Sequence, residues 1–293
     1  MLMSSLALSE NRLTVLYPEI RDPYRQIFMH MIEGIEEASS IPVIAHELAR
    51  GETEQTVGEL ISQGSNAGVI ALGKRSIDAL GKQQSIPIIM GAAILKPDTS
   101  HYIGITLNPD PSQVFGLAVE LQPNLKNIYV VYNPSLSDWT IQQAAKQAKA
   151  LGLTLHTYPV DSMQDAAMAY RTIQESMNSD TDGLWLPIGA PSRDKSILQR
   201  ILETAWAKNQ MVFSSNLSDV KRGALFALYP NNFGMGKDLV RLLETASTSE
   251  IEKNHIAFST SLNKAVNRRA AEHLGIRLTK NDLEAYEFVY PSK

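Results

Sequence analysis

The sequence contains no cysteine. That excludes disulfides, thiolate–zinc sites, a cysteine nucleophile and a lipid-modified cysteine anchor. No apolar run approaches the ~20 residues needed to span a bilayer. The six histidines, at positions 30, 46, 101, 156, 255 and 273, include no HxxxH or HExxH pair, so no metal site is expected. There is no GxSxG elbow and no Walker-type phosphate loop. FGMGK (233–237) has glycines and a lysine but neither the four-residue spacer nor the following Ser/Thr, and reads as a helix start. GITLNPDP (104–111) is a proline-punctuated turn into a helix rather than a cation loop. No nucleophile–base pair emerges from the spacing, so the chain is not expected to be an enzyme or to carry a cofactor. Basic residues are not in excess: 27 Lys and Arg face 31 Asp and Glu, a net charge of −4. A nucleic-acid partner is not expected from that balance.

What is present is an ordinary globular composition, 44% hydrophobic and 20% charged over 293 residues, long enough for two domains. Met1–Ser9 is a short apolar and small-residue stretch without a basic start. It reads as the tail of an export signal, or as a disordered N-terminal tail. Beyond it, apolar runs of strand length alternate with helix-length amphipathic stretches, the pattern of βα units and parallel sheets. Runs fall at 13–18, 41–48, 67–73, 86–92 and 102–107, then again at 127–134, 153–160, 182–187, 210–216 and 224–230. The two sets correspond in order, with a displacement of about 115 residues between GVIALGKRS at Gly68 and GLWLPIGAPS at Gly183. A repeat that long indicates duplicated domains rather than a solenoid. The tail after residue 236 is too short for a third domain and must pack back on the existing lobes.

Several phrases, in this order, carry a resemblance: GITLNPDPSQ, ELQPNLKNIYVVYNP, GLWLP, VKRGALFALYP and STSLNKAVNRRAAEHLGI. Together they resemble the substrate-binding proteins of ABC importers, specifically the group that includes tryptophan- and tyrosine-type binding proteins, from about Leu13 to about Leu278. The resemblance implies an α/β type I periplasmic binding fold: two Rossmann-like lobes with parallel sheets, joined by three crossovers. The lobes are expected over 10–107 plus about 229–258, and over 108–228 plus about 259–293. It further implies a monomeric, exported, soluble periplasmic protein. Such a protein would trap a small aromatic or carboxylate-bearing, amino-acid-like ligand between its lobes and deliver it to an ABC permease in the inner membrane. The alternative is a periplasmic sensor that signals to a membrane receptor. A transcription regulator is disfavoured, since only about a dozen residues precede Leu13 and a DNA-binding helix-turn-helix would need more.

Ligands of parallel α/β sheets bind beyond the carboxyl ends of the strands, where helix N-termini suit anions. In the first lobe those positions include Glu19, Tyr24, Gly73, Lys74, Arg75, Ser76, Gly91 and Ala92. In the second they include Tyr132, Asn133, Ser137, Pro187, Gly189, Ser214, Ser215 and Asn216, with Tyr229 and Asn231 beside a crossover. Each has a structural alternative: Gly73 a tight turn, Ser76 a helix cap, Lys74 and Arg75 solvated charges, Tyr24 and Tyr132 half-buried packing. Tyr17, Trp139 and Trp185 read as packing residues. The resemblance also implies an aspartate just after GLWLP to meet an α-ammonium; Ile188–Gly189 stands there instead. Glu19 or Asp194 is the candidate replacement, and an inward Lys74–Arg75 pair would favour an anionic ligand.

Overall fold

Alternation within the first strand sets the plan of the N-terminal half. In β1 (Arg12–Pro18), Leu13, Val15 and Tyr17 enter one buried cluster and Leu16 another. Both faces of the strand are therefore covered, as in sheets sandwiched between helices. The structure, a computed structural model, describes residues 11–63, 65–81, 86–97, 102–248 and 254–291. The stretch Met1–Ser9 lies outside the described residues.

After β1 come α1 (Tyr24–Ala38), β2 (Val43–Leu48), α2 (Glu54–Ser62), β3 (Asn66–Leu72), α3 (Lys74–Asp78), β4 (Ile88–Ala93) and β5 (Ile103–Pro109). Then follow α4 (Pro111–Leu121), β6 (Asn127–Tyr132), α5 (Pro134–Ala150), β7 (Thr154–Pro159), α6 (Met163–Ser176) and β8 (Asp182–Leu186). A 3-10 turn at Pro191–Arg193 leads into α7 (Lys195–Ala207), β9 (Met211–Ser214), α8 (Leu217–Arg222) and β10 (Phe226–Pro230). The tail forms α9 (Asn232–Thr248), β11 (Ile256–Ser259), β12 (Leu262–Asn267), α10 (Arg268–His273), α11 (Lys280–Glu284) and β13 (Phe288–Tyr290). All ten apolar runs of the sequence form strands.

The chain divides into two units. One runs to Leu107 and resumes over Asn231–Ser261; the other comprises Asn108–Pro230 and the segment from Leu262 onward. The chain thus passes between them three times. The first unit holds a six-stranded sheet in the order β11-β5-β4-β3-β1-β2, the second a seven-stranded sheet in the order β13-β12-β10-β9-β8-β6-β7. The inner strands pair in parallel, β1 with β2 and β3 in one unit and β6 with β7 and β8 in the other. This is a type I periplasmic binding protein-like α/β fold. The second sheet also holds a strand pair that the parallel pattern did not anticipate. β12 runs antiparallel to β10, with Leu262 opposite Pro230. The reason is topological: the chain leaves this sheet on β10 and re-enters it beside the point of exit.

Each unit completes its core with a helix encoded after the other unit's last parallel strand. α9 packs on α1, and Met235, Leu239, Val240 and Leu243 join Met31, Ile32 and Ile35 in one cluster. α4 likewise brings Val114, Phe115 and Ala118 against Ile128, Val130 and Trp185. Helix ends follow local chemistry. Asp110 and Asn133 each accept a backbone N–H in front of an N1 proline, opening α4 and α5. α5 closes on Gly152, whose N–H reaches Lys149 O while Leu153 N–H reaches Ala148 O, a Schellman arrangement.

Candidate functional site

Strand order alone nominates a place in each sheet. In the first unit the chain leaves β1 toward β2 at one edge, and leaves β3 toward β4 and β5 in the opposite direction. The carboxyl ends of β1 and β3 therefore flank a topological switch point, where open α/β sheets take ligands. In the second unit β6 and β8 do the same, with β7 on one side and β9 and β10 on the other.

At the first switch point, Gly73 adopts φ +81°, a left-handed conformation open to glycine at little cost. Its N–H bonds Gly91 O at 2.9 Å, and a Cβ there would lie 3.3 Å from the Phe28 ring. The turn thus draws β3, β4 and α1 together. Ser76, one turn further, is fully buried, and its hydroxyl has no hydrogen-bond partner among the described residues. Lys74 is directed outward, 83% exposed and 2.9 Å from Asp78. The Arg75 guanidinium donates to the Ala49 carbonyl. Both cations are engaged within the unit. Gly91 has α9 against it: a Cβ would stand 2.7 Å from Leu239 Cδ1. Ala92 has φ +55° where the β4–β5 register shifts, a backbone strain for a residue with a side chain. Glu19 is exposed, with its N–H on Leu48 O. Tyr24 opens α1 and is 62% exposed. Asn231 accepts from Gly234 N–H at 2.9 Å and caps α9.

At the second switch point, Tyr132 is buried, its hydroxyl 3.5 Å from Asp138; burial first, then the Asp138 charge, pushes the phenol up. Asn133 is occupied as a cap, accepting from Ser135 N–H and Oγ–H. Ser137 is buried in the first turn of α5. Pro187 O accepts from Ala190 N–H at 3.2 Å, and Gly189 has φ +81°. The candidate charge at Asp194 is also spent on capping. It accepts from Ser196 N–H, Ile197 N–H and Ser196 Oγ, and the Ser196 hydroxyl and the two amides hold it below the ordinary carboxylate range. Ser214, Ser215 and Asn216 lie together at the end of β9. Ser215 Oγ accepts the Trp185 indole N–H at 3.2 Å, and Ser214 Oγ accepts Asn216 N–H at 3.0 Å. Tyr229 is separate from this group. It pairs opposite Asn263 and packs against the cluster of Val220, Ala227 and Ala265. Burial, then the Glu287 charge, pushes its phenol up to about 12.

Asp219 and Tyr170 were not nominated by sequence. Both are buried, Asp219 beside Ser214 at the end of β9 and Tyr170 beside Ser192 in the turn after β8. Packing of α8 against β9 and β10 covers Asp219, and the cluster that holds Ala166, Ile173 and Leu184 covers Tyr170; no local pattern encodes either. Among the described residues, no cluster of His, Asp and Glu side chains is placed to hold a metal ion, and no helix is long and apolar enough to cross a membrane.

Comparison with known proteins agrees with this architecture. A family model described as ABC transporter substrate binding protein matches residues 76–287, well over half of the chain. Among solved structures, an ABC domain from Streptococcus pneumoniae in complex with L-Trp is 18% identical, covering 96% of this chain and 100% of its own with a TM-score of 0.59. A conserved domain protein from Vibrio cholerae is also 18% identical, with coverages of 96% and 99% and a TM-score of 0.58. The ligand-free, open form of a Clostridium difficile substrate binding protein with adhesive properties is 15% identical, with coverages of 95% and 99% and a TM-score of 0.65. At these identities the likeness is one of fold. No curated protein sequence matches the chain.

Proposed function

Because this chain belongs to the ABC transporter substrate binding protein family, we propose that it is an extracytoplasmic binder that captures an aromatic or carboxylate-bearing small molecule, amino acids included, and passes it to an ABC importer. The observation that carries this reading is the duplicated rim. Both units place a switch point at the carboxyl ends of their first and third parallel strands, and both surround it with short polar side chains and helix starts. In this proposal each unit contributes its rim to one ligand. The three chain crossings absorb the closing motion, so ligand shifts an open–closed balance. The mechanism is binding and movement, with no bond broken. The permease of the inner membrane is the receiving partner, and the working form is a monomer in the periplasm.

The aromatic and carboxylate preference rests on Tyr24 and Tyr132 near the rims and on helix N-termini that favour negative charge. The complex of the Streptococcus pneumoniae protein with L-Trp points the same way. A thermal-shift panel of amino acids, peptides, aromatic acids, nucleosides and sugars tests it. A native-state ligand at a hundredfold excess over Kd adds about 2.7 kcal/mol of apparent stability. The expected result is an upward shift with aromatic or carboxylate-bearing compounds, weakened by Ser76→Arg or Asn216→Trp. A panel in which only sugars or metals raise the melting temperature contradicts the proposed ligand class.

A further inference from the structure

The rim segment Ser214–Asn216 rests on a carboxylate. Asp219, in the first turn of α8, is 7% exposed. Among the described residues it takes part in no ion pair. Its Oδ2 lies 2.7 Å from Ser214 Oγ, and its Oδ1 accepts from the Ser218 hydroxyl at 3.3 Å. Ser214 Oγ is in turn 3.1 Å from Leu186 O and accepts Asn216 N–H at 3.0 Å.

A hydroxyl has one proton and two lone pairs. Asn216 N–H occupies one lone pair of Ser214. The single Ser214 proton then serves either Asp219 or the Leu186 carbonyl as its main acceptor. An ionised Asp219 takes it, and Leu186 O retains the Ser215 N–H at 3.0 Å. A neutral Asp219 instead donates into the second lone pair of Ser214, and the Ser214 proton turns to Leu186. In the neutral state every partner in the set is matched.

We propose that Asp219 is a positioning residue for the second unit's binding rim: its protonation state sets the direction of the Ser214 hydroxyl, and through it the polar groups of Leu186 and Asn216 at the ends of β8 and β9. The link exists in the free protein; only its effect on affinity rests on the solute-binding reading. The charged and titratable groups acting on Asp219 are Arg222, from the far end of α8, and Tyr170, from α6. The Tyr170 hydroxyl is buried and lies beside Ser192. Burial outweighs the Ser214 and Ser218 hydroxyls, Arg222 and Asn216, so the Asp219 carboxyl lies above its ordinary value.

The sign follows from linkage. An acid raised in the folded state carries no penalty below its unfolded pKa of about 3.9. The penalty grows as pH climbs from there through the folded value, then stays constant. Asp219→Asn keeps the size and donates an N–H to Ser214, as the neutral acid does. Its melting temperature relative to wild type is therefore expected to rise from pH 4 to pH 7.

The direct test is an NMR pH titration of the Asn216 backbone amide in the ligand-free protein, in wild type, Asp219→Asn and Ser214→Ala. The wild-type amide is expected to shift with a midpoint above the ordinary carboxylate range. Asp219→Asn is expected to lose that response. Ser214→Ala is expected to lose it too, while the Asp219 carboxyl carbon still titrates. A response retained in Asp219→Asn, or a midpoint at the ordinary carboxylate value, overturns the proposal. With L-tryptophan as probe, wild-type affinity is expected to follow the same midpoint and the Asp219→Asn affinity to be flat across it. Failure of L-tryptophan to bind at any pH counts against the functional reading, and the amide titration then decides Asp219 separately.

Discussion

Gly34→Ala is expected to cost about 3 kcal/mol or more, at the upper end of overpacking effects. A Cβ at Gly34 would stand 2.0 Å from Phe233 O, and one at Gly236 would stand 2.1 Å from Met31 O. No rotamer relieves these contacts, because the obstacle in each case is the backbone of the facing helix. α1 and α9 would have to separate, opening space beside Met31, Ile35, Met235 and Leu239, all of which are fully buried. At roughly 4 °C per kcal/mol for a domain of this size, the melting temperature should fall by roughly 10 °C. Gly58→Ala in α2, where a Cβ meets nothing within 4 Å, provides the contrast and should gain up to about 1 kcal/mol from helix propensity. Equal melting temperatures for the Gly34 and Gly58 variants would mean that α9 does not lie backbone to backbone on α1.

Trp185→Ala is the second large effect, about 3–5 kcal/mol, as for other buried aromatic truncations. Trp185 is 1% exposed. Its ring meets Phe115 edge-on at 5.1 Å and 87°, and its indole N–H satisfies Ser215 Oγ at 3.2 Å. Truncation removes a large buried surface and leaves a rim hydroxyl without its donor. A double-mutant cycle with Phe115→Ala isolates the ring pair, where a coupling of about 1 kcal/mol is expected. Phe115 belongs to α4, so this cycle also tests whether that helix completes the second unit's core. Strictly additive effects would mean that the two rings do not pack on one another.

The two predictions mark what the sequence makes legible and what it does not. Strands were legible because each is a short apolar run between turn residues, and the 115-residue repeat disclosed the duplication. Tyr17 and Trp185 were assigned to packing, and both are buried. The contribution of the tail was not legible in detail. Nothing local in LNKAVN (262–267) marks it as a strand antiparallel to β10, because that pairing follows from where the chain re-enters the sheet. At the rims, residue types were legible but their engagements were not. Asn133 and Asp194 look available in sequence, yet they are consumed as helix caps. Asp219 reads as an ordinary helix-surface acid in LSDVKR, and only the packing of α8 against β9 and β10 buries it.

The proposed function is tested most directly by asking whether the rims of both units are needed to bind one small molecule. Isothermal titration calorimetry of the most stabilising compound, on wild type and on Ser76→Arg and Asn216→Trp variants confirmed to be folded by their own melts, tests this. The predicted result is one molecule per chain, recovered chemically unchanged, with binding lost or severely weakened in both variants. Full affinity in either variant, or recovery of an altered compound, would contradict it.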